Sequence, residues 1–254
     1  MSRIATFSIS LAFLMVSFSH SALASLVLHY TFDEADRIGG SYTNVANGFL
    51  TGNIVGAVGT GVTGILDEAI RLPNDDGASY INVSSGSNPA PNGSDARTIA
   101  FWFSQEAVGA ENKMFGYGSG TNGRMFDVSL EGGGIRLRYS GGNVTWGSGY
   151  DFVGADAGFH HLAIRVPESA SDYLDVEMFL DGQPLTGVPT AGNPAGTAIN
   201  TGGGAATTLN IGRSPVFSPA GDYIGLIDDF RSYYNALSDV EIEELAGILN
   251  SLTL

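Results

Sequence analysis

Residues 223–245 read YIGLIDDFRSYYNALSDVEIEEL, a strand that runs directly into a capped helix. Ile, Leu, Phe and Tyr dominate the first half, the composition of a buried strand. Asp228 and Asp229 interrupt it where an apolar residue is expected, so the two acids need a reason beyond the strand itself. Ser238 stands three residues before Glu241, the spacing at which a hydroxyl and a carboxylate satisfy each other's backbone amides in a helix's first turn. Ile242, Leu245, Ile248 and Leu249 then fall on one helical face.

Upstream, short β-type runs follow one another with turn residues between them. They cover residues 26–32, 69–72, 79–83, 97–104, 113–117, 124–130, 134–139, 143–146, 160–166, 173–180 and 207–211. About a dozen such runs, no long helix before the C-terminus and 36 glycines predict an all-β sandwich or barrel. Asp181-Gly182, after VEMFL, predicts a tight hairpin, because both residues tolerate positive φ. The runs IAFWF and LIDDF are apolar on consecutive residues, so both faces of those strands are expected to be covered. Residues 186–206 read as a long loop.

The N-terminus carries Arg3, an apolar run over residues 4–18 and the small-residue site Ala22-Leu23-Ala24. This is the pattern of a secretory leader at 1–24, with a mature chain of 25–254 forming one domain. A secreted, periplasmic or cell-surface location is expected. The formal charge of −15 argues against nucleic acid and anionic lipid as partners, which need clustered Lys and Arg. The absence of cysteine removes disulfides, thiolate zinc sites and thiol catalysis together, and in an exported protein points to a bacterial origin.

The series YTFDE, ARTIAFWFS, FHHLAIRV, VEMFLDGQPL, LNIGR and GLIDDFRSYYNALSDVEIEEL resembles the LamG-like jelly-roll domains of the concanavalin A-like lectin/glucanase superfamily. The motifs occur in the expected order over nearly the whole mature chain. One departure is Phe159, where the family commonly has Trp before the paired histidines. The resemblance implies a two-sheet antiparallel jelly-roll sandwich with a short C-terminal helix, commonly with a structural calcium joining the chain's start to its last strand.

Calcium takes six to eight oxygens from carboxylates, carbonyls and water. Asp33 follows the first strand, Asn44, Asn47 and Gly48 lie in the loop after it, and Asp228 lies in the last strand, so these are the expected metal residues. The plainer alternative is that Asp33 and Glu34 cap a turn while Asp228 accepts backbone amides or pairs with Arg231. Asp229 is expected on the opposite face, as a surface acid. His160 and His161 are adjacent, face opposite sides of a strand and read as packing residues. No strand shows the alternating acids of a sandwich glycosidase, so catalysis is not expected.

A sugar site needs an exposed aromatic with amides and carboxylates beside it. Trp102, between Phe101 and Phe103, reads as core, whereas Trp146, among glycines and close to Tyr150 and Asp151, is the expected platform. The sequence thus predicts a non-catalytic module for extracellular polysaccharide or surface glycan. A structural or adhesive protein without sugar binding and a polysaccharide-degrading enzyme are the alternatives.

Overall fold

The computed structural model describes residues 26–74, 77–83, 90–109, 111–202, 208–216 and 221–247. The leader expected at 1–24, and the helical-face residues Ile248 and Leu249, lie outside the described residues. In chain order the strands begin with β1 (Leu26–Tyr30), β2 (Arg37–Ile38), β3 (Ser41–Tyr42), β4 (Gly52–Val55), β5 (Gly59–Thr63), β6 (Glu68–Leu72) and β7 (Tyr80–Val83). The middle of the chain supplies β8 (Arg97–Gln105), β9 (Lys113–Gly118), β10 (Met125–Glu131), β11 (Gly134–Arg138), β12 (Asn143–Gly147) and β13 (His160–Val166). Last come β14 (Glu177–Leu180), β15 (Gln183–Pro184), β16 (Gly187–Ala191), β17 (Leu209–Ile211), β18 (Gly225–Tyr233) and a helix, α1 (Asp239–Leu245).

These strands build two antiparallel sheets. The first has eight strands in the order β15-β14-β13-β8-β18-β6-β5, with β1 also paired to β18. The second has ten, in the order β16-β12-β11-β10-β9-β17-β7-β4-β3-β2. Alternate side chains from both fill the space between them: Tyr30, Phe101, Phe103, Phe115, Phe126 and Phe230 are fully buried. Phe101, Phe115 and Phe230 meet pairwise at centroid distances of 5.6 Å, in the edge and offset arrangements that aromatic quadrupoles favour. The all-β sandwich with a closing helix is therefore the fold.

β8 and β18 are apolar on consecutive residues because both of their faces are covered, as expected. The core takes one face. On the other, Ala100, Ala163, Phe179 and Tyr233 pack beneath Leu237 and Ile242. α1 begins as read from the sequence: the Glu241 amide donates to the Ser238 hydroxyl at 3.3 Å and the Ser238 amide to the Glu241 carboxylate at 2.8 Å. Asp181 and Gly182, at φ 50° and 75°, turn β14 into β15.

One expectation is reversed. Trp102 lies on the outer face of the first sheet, half-buried and edge-on to His161 at 5.2 Å. Strand alternation explains it, since Phe101 and Phe103 point inward and the residue between them must point out.

Candidate functional site

The turn between β5 and β6, residues 64–67, folds over β18. There the Ile65 and Leu66 amides both donate to Asp228 Oδ2 at 2.9 Å. Gly64 permits this approach, because a Cβ at that position would stand 2.5 Å from Asp228 Oδ2. Close by, the Glu68 amide donates to Asp33 Oδ1 at 3.1 Å and the Glu34 amide to Glu68 Oε2 at 2.6 Å. Asp33 and Asp228 thus meet on one hairpin, brought together because β1 pairs with β18. Asp33, Asp67 and Glu68 line an open cleft of about 370 Å³ beside it.

Asp228 is fully buried, and its Oδ1 meets no hydrogen-bond partner. Desolvation pushes its carboxyl up to about 7 against the pull of the Leu66, Ile65 and Asp229 amides. A buried carboxylate oxygen left without a donor is the group a hard cation takes. Among the described residues no three His, Cys, Asp or Glu side chains are grouped to hold an ion. A calcium ion at this corner would therefore draw on Asp228 and Asp33 together with backbone carbonyls and water.

The Asn47 side chain and the Gly48 amide are spent within their own turn and on β1. Asn44 is buried, with its Nδ2 donating to the Val27 and Phe49 carbonyls, both at 2.8 Å, and its Oδ1 accepting from the His29 amide at 2.8 Å. Asn47 Nδ2 donates to the Val27 carbonyl at 3.1 Å and its Oδ1 accepts from the Phe49 amide at 2.9 Å. Gly48, at φ 76°, donates its amide to the Asn44 carbonyl at 2.7 Å. This asparagine-knitted turn is bonded to Val27 and His29 of β1.

Asp229 is not a surface acid. Its φ of 50° coincides with an irregularity in the β8–β18 register between Asp228 and Arg231, and the simple alternation fails there. The side chain is buried and accepts from His29 Nε2 at 2.7 Å and from Arg231 Nε at 3.1 Å. Burial raises its carboxyl, but the His29 bond and the Arg231 charge outweigh burial and hold it below the usual range. The partner of Arg231 is this residue and not Asp228.

Trp146 is no sugar platform. It is only 2% exposed, and Gly187 on the paired strand lies so close that a Cβ there would stand 2.4 Å from the indole Nε1. Tyr150 and Asp151 do stand at a cleft, at one end of the sandwich. Its walls include Gln105, Glu131, Tyr150 and Asp151, the exposed backbone of Gly132 and Gly133, and the apolar Val108 and Val153, and its volume is about 90 Å³. Glu131 is ion-paired with Arg136. The Ser148 hydroxyl donates to the Gly133 carbonyl at 2.9 Å and accepts from the Tyr150 amide at 3.1 Å, tying the two loops of the cleft together. Tyr150 is half-buried, stacked on Phe152 at 5.7 Å and edge-on to His160 at 5.0 Å.

His160 fixes this loop. Its Nδ1 faces Asp181 Oδ2 at 2.8 Å and its Nε2 faces the Asp156 carbonyl at 2.7 Å. Both neighbours are acceptors, so only the doubly protonated ring satisfies them. The Asp181 bond accordingly raises the pKa of His160 against the cost of burial. His161 points the other way, as expected, and its burial beside Trp102 lowers its pKa to about 4. The cleft residues Gln105 and Glu131, and the hairpin at Gly64, were not singled out from the sequence. The run Glu131-Gly132-Gly133-Gly134 held the local clue, a tight turn with bare backbone.

A family model described as the Concanavalin A-like lectin/glucanases superfamily matches residues 75–243. The chain belongs to this superfamily. Among solved structures, this superfamily member is similar to domain 4 of AbnA, a GH43 extracellular arabinanase from Geobacillus stearothermophilus, in complex with arabinotriose. The TM-score is 0.62 at 19% identity, over 87% of this chain and 98% of that one. It is also similar to the binding domain of Paraclostridial Mosquitocidal Protein 1, with TM-score 0.62 and 16% identity over 88% of this chain and 52% of that one. A Trypanosoma rangeli sialidase matches with TM-score 0.58 and 15% identity, over 88% of this chain and 32% of that one. These likenesses establish the lectin-like fold. No match was found among curated proteins.

Proposed function

We propose that the chain is an exported, non-catalytic binding module that recognises extracellular or cell-surface carbohydrate at the Tyr150 cleft, with a structural calcium ion at the Asp33–Asp228 corner. The observation that carries the reading is the cleft itself. A half-buried aromatic stands beside an amide, two carboxylates and bare glycine backbone, the mixture that serves a sugar's apolar face and its hydroxyls. The solved domain in complex with arabinotriose lends the reading support at the level of fold.

Size decides the mode of recognition. A space of about 90 Å³ is well below the 300–1,000 Å³ range of pockets that enclose a ligand. The cleft therefore takes the end or edge of one sugar unit, and affinity is weak, roughly millimolar. Glu131 and Asp151 on its walls disfavour uronic acids and sulfated sugars, so neutral or amino sugars are the preferred class.

A glycan array presenting neutral, amino and acidic oligosaccharides tests this. Retention of neutral or amino glycans that Tyr150→Ala abolishes is expected. Equal retention by parent and variant would remove the cleft, and no retention at all would favour the adhesive or structural alternative. Glu131 and Asp151 on one cleft also meet the minimal composition for glycoside hydrolysis, which uses two carboxyl groups across the sugar. Release of reducing ends from polysaccharide, lost in Glu131→Gln, would establish that reading instead.

Export rests on the leader at residues 1–24. N-terminal sequencing of the exported protein should begin at Ser25.

A further inference from the structure

The turn that carries one wall of the Tyr150 cleft is bonded within itself. The Gly154 and Asp156 amides donate to the Asp151 carbonyl at 3.0 and 3.1 Å, and the Ala157 amide to the Gly154 carbonyl at 3.2 Å. The Asp151 amide donates in turn to Asp156 Oδ2 at 2.9 Å. Gly149 and Gly158 bracket the turn at φ 74° and 145°, where an added Cβ would meet nothing within 4 Å. Glycine alone adopts such backbone readily, so the internally bonded turn has a pivot at each end. Tyr150, Asp151 and Val153, between the pivots, line the cleft.

Phe152 and His160 seat this turn on the sandwich. Phe152 packs against Phe103 at 5.3 Å, an apolar contact indifferent to pH. His160, at the start of β13, presents Nε2 to the Asp156 carbonyl at 2.7 Å and Nδ1 to Asp181 Oδ2 at 2.8 Å. The titratable groups facing its ring are Asp181 from the turn after β14, and Asp156 and Tyr150 from the cleft turn; from β8 it meets Phe103, which carries no charge. Asp181 Oδ1 also accepts the His161 amide at 2.8 Å, which fixes the carboxylate. A bond to a carboxylate outlasts one to a carbonyl, so deprotonation falls on Nε2. Its lone pair then faces the lone pairs of the Asp156 carbonyl, and that bond is lost.

We propose that His160 is a proton-operated latch on the Tyr150 cleft: the doubly protonated ring holds the turn at 151–157 in place and keeps the cleft formed, and the singly protonated ring releases it. Ligand is held while the ring is charged and let go as pH rises. The effect on a ligand rests on the carbohydrate reading, whereas the latch itself stands without it. By linkage, a bound sugar must in turn strengthen the hold of His160 on its second proton.

The test follows the parent and Asp181→Asn from about pH 5.5 to about 8.5, a range that spans the ordinary histidine value of about 6.5 and an upward shift from it. NMR gives the titration of the His160 ring and the methyl order parameter of Val153, read against Val166, which is fully buried in β13. Calorimetry gives the affinity for cellotriose, arabinotriose and chitotriose. In the parent, Val153 should lose order where the ring titrates, and affinity should fall roughly fivefold or more over the same step, the worth of one hydrogen bond. Asp181→Asn separates the latch from plain packing. Asn tolerates the φ of 50° at this position; its oxygen can accept the His161 amide and its NH₂ can donate to Nδ1, leaving the neutral ring an Nε2–H for Asp156. Val153 order and affinity in this variant should therefore stay at the parent's low-pH level throughout. Order that does not change with the parent's ring titration, or that falls alike in Asp181→Asn, overturns the latch, and constant affinity across a step in order overturns its action on the cleft. If Val153 responds but the parent binds none of the three sugars at any pH, the carbohydrate reading falls while the latch is upheld. Should Asp181→Asn not fold, the coincidence or separation of the parent's two steps decides.

Discussion

Two buried side chains give the protein opposite ends of one pH response. Asp127 is 1% exposed, and burial raises its carboxyl to about 6 despite a bond from Ser214. A carboxyl raised on folding stabilises the native state below its unfolded value near 4 and loses that contribution as pH rises through 6. His160 is raised by its bond to Asp181. Its contribution is complete below its unfolded value of about 6.5 and is lost at higher pH, as the folded ring deprotonates and leaves one of two acceptors without a proton. Asp228, raised to about 7, adds a loss over the same range, so melting temperature should fall from about pH 4 upward with all three groups contributing. Asp127→Asn should lessen the fall between pH 4 and 6, and His160→Gln the fall above 6.5; an unchanged profile in either variant would contradict the assignment. Trp146 belongs to the same scale. As a core residue its replacement by Ala should cost about 3–5 kcal/mol in a denaturant titration, whereas a surface platform would cost little.

At the scale of elements, the hairpin joining β5 to β6 matters most, because it joins Asp33, just after the first strand, to Asp228 in the last strand. Asp228→Asn keeps an acceptor for the Ile65 and Leu66 amides and removes a charge that burial disfavours. With a chelator present, the variant should be at least as stable as the parent. Calcium should then raise the melting temperature of the parent and not that of the variant, by mass action on the native state. No response in the parent would remove the ion. Much of this element-level picture was legible in residues 223–245: the strand, the capping box at Ser238 and the need of Asp228 for partners all follow from local spacing. The partners themselves were not, because the hairpin at 64–68 is about 160 residues away in sequence and its glycine reads as one of many. Asp229 and Trp102 show the same limit. One departs from alternation through a positive φ that no neighbouring residue announces, and the other obeys alternation in a run too uniformly apolar to reveal its inner face. Glycines around an aromatic suggest exposure, but at Trp146 Gly187 serves instead to let backbone lie against the ring.

For the whole molecule, a lectin-like sandwich places its loops at the ends and its strands' polar positions on broad outer faces. The end cleft is small and held in shape by His160 and Ser148, and the contact proposed for it, with a neutral or amino sugar, is weak. Such binding to a neutral sugar should be nearly insensitive to salt, since no ion pair with the ligand is screened. The most direct measurement is a titration of the parent and of Tyr150→Ala with the oligosaccharide best retained on the array. Saturable binding by the parent and at least a tenfold loss in the variant, its fold verified by circular dichroism, are expected; equal affinities, or no saturable binding by the parent, would rule out sugar recognition at this cleft.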